Sequence, residues 1–148
     1  MKKILITSIL VFLLSGCSLT ENGLVFGTPD YEKRNIQVTE IDLSILLKVN
    51  ELLKNKSLWN NSSIRECRKS IKLSLFCALK NASVEITGNY VHRQPALQEV
   101  RFIIDDNYKS RWSVHRLADF NAHPDTSFED VKSVITLAIE AVKGKLRR

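Results

Sequence analysis

Residues 4–14 form an apolar run interrupted only by Thr7 and Ser8, behind a basic head of Lys2 and Lys3. A core helix made from this run would have no polar face to turn toward water. A bilayer-spanning helix needs about 20 apolar residues, so the run is also too short to cross a membrane. A basic start, an apolar middle and small residues before a cut are instead the proportions of a secretory signal. The folded domain therefore has to be built from residues beyond this run.

The run closes on Leu14, Ser15, Gly16 and Cys17. These four residues resemble the lipobox of bacterial lipoproteins, in which Leu, a small residue, Gly or Ala and an obligatory Cys occur in that order. The resemblance covers residues 1–20. It implies a signal peptide over 1–16, a diacylglycerol group on the Cys17 thiol, cleavage just before Cys17, and usually a further fatty chain such as palmitate on the new amino group. Ser18 is not the Asp associated with inner-membrane retention, so the resemblance implies an anchor in the outer membrane with the domain facing the periplasm. Each buried methylene adds about 0.8 kcal/mol, so two or three chains hold durably where one holds weakly.

With Cys17 assigned to lipid by this resemblance, Cys67 and Cys77 remain as a pair. An oxidising exported compartment favours a disulfide between them. The rival reading, a metal or redox pair, finds no CxxC spacing and no His at ligand spacing from either Cys.

The precursor carries 22 Lys and Arg against 16 Asp and Glu, and loss of Lys2 and Lys3 leaves an excess of +4. That charge is scattered, with one dense basic run at the tail from Lys143 to Arg148. A nucleic-acid binder would concentrate it on one face, so nucleic acid is not an expected partner. In the tail, basic residues suit the negative end of a helix.

Residues 17–38 mix Gly, Pro, Asn and charge and read as a lipidated tether; 39–148 read as one globular domain. Thr39 followed by Asp42 opens a helix over about 40–56, with Ile45, Leu46, Val49, Leu52 and Leu53 as its apolar stripe and Trp59 folding back as a core anchor. For the next segment, a turn carrying Cys67, a strand over 73–79 and a second strand through Val84, Ile86 and Tyr90 compete with a single helix over 63–82. That helix would hold the two cysteines roughly 15 Å apart, beyond the ~7 Å limit of a disulfide, so it and the disulfide exclude each other. The strand is the reading adopted. Val100, Phe102 and Ile104 predict a strand over 98–105, paired as a hairpin with one over 110–120. Thr126 and Glu129 read as a capping box for a last helix over 127–146. The expected fold class is α+β, a small antiparallel sheet of about four strands flanked by an N-terminal and a C-terminal helix.

The densest polar constellation is His92, Arg93, His115, Arg116, Asp119, Asn121 and His123, a candidate binding surface. His with a carboxylate suits acid–base chemistry, and Arg takes carboxylate or phosphate in a fork. No GxSxG nucleophile accompanies them, and no HEXXH pairing supplies a metal site. No cofactor or metal is expected. Two functions stand as expectations. The first is a lipid-anchored, non-enzymatic envelope module that binds another protein, as an assembly factor or an immunity or inhibitor protein. The alternative is a small periplasmic hydrolase or ligand-binding enzyme using His92, His115 and Asp119.

Overall fold

The computed structural model describes residues 34–148, and Cys17 with the leader and most of the tether lies outside them. Among the described residues there are five α-helices and no strand: α1 (Glu40–Leu52), α2 (Leu75–Thr87), α3 (Pro95–Asn107), α4 (Arg116–Ala122) and α5 (Phe128–Leu146). A lone parallel bridge between Trp59 and Leu73 is the extended pairing present. The expected α+β sheet is thus replaced by a helical bundle.

The outer two helices start close to where the sequence places them, with α1 ending at Leu52, short of the expected 56. Asp42 reaches back from the first turn of α1 to accept from the Thr39 amide and hydroxyl, both at 2.9 Å. Ile45, Leu46, Val49 and Leu53 are fully buried along its stripe. At α5 the capping box is one residue later than expected. Ser127 Oγ accepts from the Asp130 amide at 3.1 Å, and Asp130 accepts from the Ser127 amide at 2.9 Å. Thr126, the expected cap, is buried instead.

The middle of the chain departs from expectation for one physical reason. Strand-like alternation and helical spacing coincide in short segments buried on several sides. In α3, Ala96, Leu97, Val100 and Ile104 fall on one helical face and are fully buried. Phe102, Gln98, Glu99, Arg101 and Asp105 are buried as well, so the predicted strand over 98–105 was reading a helix with little solvent face. Its start is fixed by Pro95 at the first helical position, where a missing N–H costs nothing. Buried Asp42 also accepts from the Ala96 amide at 3.0 Å and Gln94 Nε2 at 2.8 Å, so one carboxylate caps both α1 and α3. The expected strand over 110–120 is a 3-10 turn, a loop and α4.

The helix-or-disulfide choice dissolves in the same way. The helix begins at Leu75, later than the 63–82 alternative, with Ser74 Oγ accepting from the Cys77 amide at 3.2 Å. Cys67 is left in a segment without helix or strand and Cys77 in the first turn of α2, joined as a disulfide with Cα atoms 5.3 Å apart. The strands expected over 73–79 and through Val84, Ile86 and Tyr90 give way to α2, which follows Leu73 and Ser74 and ends at Gly88 in the left-handed region, φ 79°, leaving Tyr90 in the connection beyond. Glycine takes that conformation without a Cβ penalty.

α1 packs against α2 and α5, α3 against α5 and α4, and α2 against α4. α3 and α5 run antiparallel: Lys145, near the end of α5, pairs with Glu99 near the start of α3. At the opposite end, Tyr108 and Arg111 meet Asp130, Arg111 at 2.9 Å. None of the described helices is long and apolar enough to cross a membrane.

Candidate functional site

The seven sequence-selected polar residues divide into those spent on the fold and those gathered at the surface. Asn121 is fully buried. Its Oδ1 accepts from Trp59 Nε1 at 2.8 Å and the Leu75 amide at 3.0 Å, while its Nδ2 donates to the carbonyls of Asn60 and Ser62, both at 2.9 Å. One side chain thus closes both ends of the segment that carries Cys67. Trp59, the expected anchor, completes this clasp by laying its ring 5.9 Å from that of Phe128.

Asp119 Oδ2 accepts from the amides of Ser113, Val114 and His115 at 3.1, 2.8 and 2.9 Å. Partial burial pushes its pKa up, but these three amides outweigh it and hold the carboxyl below its ordinary value. Arg116 is buried, paired with Asp105 at 3.1 Å and lying 5.0 Å over the Trp112 ring. Burial raises the Asp105 pKa in spite of Arg116 and Arg34 nearby. His123 turns the corner into α5, its Nδ1 accepting from the Asp125 amide at 3.2 Å.

His115 and His92 are brought to one cluster from segments far apart in sequence. His115 caps α4, its Nδ1 accepting from the Ala118 amide at 3.2 Å, and its ring stands edge-on to Phe76 at 5.5 Å. Tyr90 packs on the same Phe76 ring at 6.1 Å and on His92 at 6.4 Å, with its hydroxyl 3.2 Å from His92 Nδ1. Arg101 reaches in from α3, donating to the His92 carbonyl at 2.9 Å and Gln98 Oε1 at 2.6 Å. Lys80 lies 6.0 Å above the Tyr90 ring. Burial lowers the His115 pKa, and the charges of Arg65 and Arg101 lower it further against the opposing pull of Asp119. The neutral imidazole is therefore favoured there. Burial raises the Tyr90 pKa, with Arg101 opposing. Arg93 is exposed on the same connection, as is Val91, with 47% of its surface open.

Phe76 and Cys77 are consecutive, so the ring cluster adjoins the disulfide-braced segment. That segment is without helix or strand and borders a cleft of about 310 Å³ between Ile64, Arg68, Lys72 and Ser74. Ile64 and Ile71 stand 60% and 83% exposed. Sequence reasoning missed Phe76, Tyr90, Arg101 and these two isoleucines. The available signal was the apolar pair set in IRECRKSIK, a run too charged to be core. Among the described residues, no group of three or more His, Cys, Asp or Glu side chains is placed to hold a metal ion. No family model matches the chain, and comparison with curated proteins and with solved structures gives no match.

Proposed function

We propose that the protein is a lipid-anchored, non-enzymatic envelope module whose periplasmic domain binds another protein. Support for the anchor comes from Leu14, Ser15, Gly16 and Cys17, with two basic residues and an apolar run ahead of them. The observation that carries the binding half is the ring cluster at Tyr90, which draws His92 and His115 together beside Lys80 and Arg101. Tyr and Arg set in an ordered, partly desolvated patch are the residue types that dominate protein interfaces. The alternative acid–base role loses support because Asp119 and His115 spend polar atoms on caps.

Two measurements test this reading. Mass spectrometry of the native protein is expected to find fatty chains on a chain beginning at Cys17. Affinity capture from envelope extracts is expected to recover a defined protein that Tyr90→Ala releases while the fold is retained. A native chain retaining residues 1–16 removes the anchor, and capture of no protein removes the binding function.

A further inference from the structure

We infer that the disulfide-braced segment 61–72 is the principal contact element of this binding face, and that its occupant is an acidic protein surface with an apolar recess for Ile64 and Ile71. The inference rests on the protein-binding reading above and names the partner's chemistry. Within 64–72, Arg65, Arg68, Lys69 and Lys72 stand against Glu66 alone, a net +3. Two large aliphatic side chains project from the same nine residues and are open to solvent. Aliphatic side chains set among charge supply what a protein contact surface uses, an apolar centre with a polar rim.

The loop is also held in shape before anything binds. Asn121 clasps it at Asn60, Ser62 and Leu75, and the disulfide ties its centre to α2. Preorganisation of this kind lowers the ordering cost that a binding loop otherwise bears. Cys77, bonded to Cys67, directly follows Phe76, whose ring meets His115 at 5.5 Å, so the loop adjoins the ring cluster.

A protein fits this face better than a lipid leaflet because the loop has a fixed shape. The Cys67–Cys77 bond and the Asn121 bonds hold its basic and aliphatic residues on one braced backbone. A partner with a shaped surface gains from that preorganisation, whereas a fluid leaflet does not.

The test uses the full-length protein in cells, with a photoreactive residue replacing Ile71, Val91 or Leu137 in turn. The expected result is cross-linking of one protein, through the same acidic peptide, from both Ile71 and Val91 but not from Leu137 on α5. Paired Lys69→Glu and Lys72→Glu changes are expected to cut the Ile71 yield by about tenfold, and lysine substitutions in the acidic peptide to restore it. Both changes are at exposed side chains, and an unchanged melting temperature confirms the fold. Cross-linking from Val91 alone overturns the loop's role and leaves protein binding standing. Lipid adducts at Ile71 overturn the choice of occupant. No protein adduct from any position overturns this inference and the binding function together.

Discussion

Replacing Asn121 by alanine removes four hydrogen bonds from a site with no solvent access. The groups left behind are unequal. The Leu75 amide lies in the first turn of α2 inside the protein, and losing its acceptor costs a full desolvation penalty of about 1–3 kcal/mol. Trp59 Nε1 and the carbonyls of Asn60 and Ser62 are only part-buried. Water can reach them, so each loses about 0.5–1 kcal/mol. The expected total is about 2.5–6 kcal/mol. For a domain of this size that lowers the melting temperature by about 10–24 °C. Urea denaturation of the oxidised protein is the assay, with the midpoint falling and the slope unchanged. Hydrogen exchange in 59–74 is expected to speed up well before α1 or α5 responds, because three of the four bonds lost touch that segment and the fourth adjoins it at Leu75. Asn121→Asp keeps the acceptor but faces two carbonyls with a second oxygen, so it destabilises similarly at pH 7 and less where the acid is protonated. A loss under about 1 kcal/mol for Asn121→Ala, with the 59–74 amides still protected, would refute the clasp.

The same geometry fixes three further outcomes. Reducing the Cys67–Cys77 bond, which spans ten positions, is expected to cost about 2.7 kcal/mol in chain entropy, read from denaturation with and without reductant; no difference would mean the loop is held by Asn121 alone. Ser127→Ala is expected to cost about 1 kcal/mol, whereas Thr126→Val, whose buried hydroxyl has no hydrogen-bond partner, is expected to be neutral or stabilising. The reverse order in thermal melts would restore the capping register read from sequence. Because the Asp119 carboxyl sits below its ordinary pKa when folded, its contribution is present above the unfolded value near 3.8 and is lost as pH falls through the lower folded value. Asp119→Asn is therefore expected to lower stability at pH 7 and flatten its fall below pH 4, and an unaltered acid limb in a pH series of denaturation midpoints would contradict this.

The two ends of the domain were legible because their signals are local. Thr39 with Asp42, and the acidic first turn of α5, specify a start within four residues, and the apolar spacing behind each runs for several turns. The cysteine pair was legible too, and it constrained more than it was asked to. It forbade a helix containing both sulfurs, yet permitted a helix that starts between them, and Ser74 supplied that start. Where the sequence misled was α3. Gln94-Pro95 looks like a break and is the first turn of a helix, because its cap comes from Asp42, 52 residues earlier. No window short enough to show periodicity contains that carboxylate.

The site was half legible for a related reason. His92 and His115 stand out as residue types, but what unites them is Phe76 and Tyr90, apolar and aromatic residues that read as ordinary core. Asp119 and Asn121 stand out equally and turn out to hold backbone, since Asn and Asp are as apt to satisfy loose amides as to do chemistry. Composition therefore cannot separate the two uses; only the direction of each lone pair can. The loop makes the complementary point. Its lysines and arginines read as solvated surface, and they are solvated, but the bracing by Cys67 and Asn121 fixes them beside Ile64 and Ile71 in one arrangement. A flexible basic segment attracts any acidic surface weakly, whereas a fixed one with two aliphatic side chains at set positions discriminates among them by shape. If that discrimination is what the disulfide secures, reduction should weaken partner binding well beyond the accompanying loss of stability. Binding left unchanged in a reduced but folded protein would leave the brace a role in stability alone.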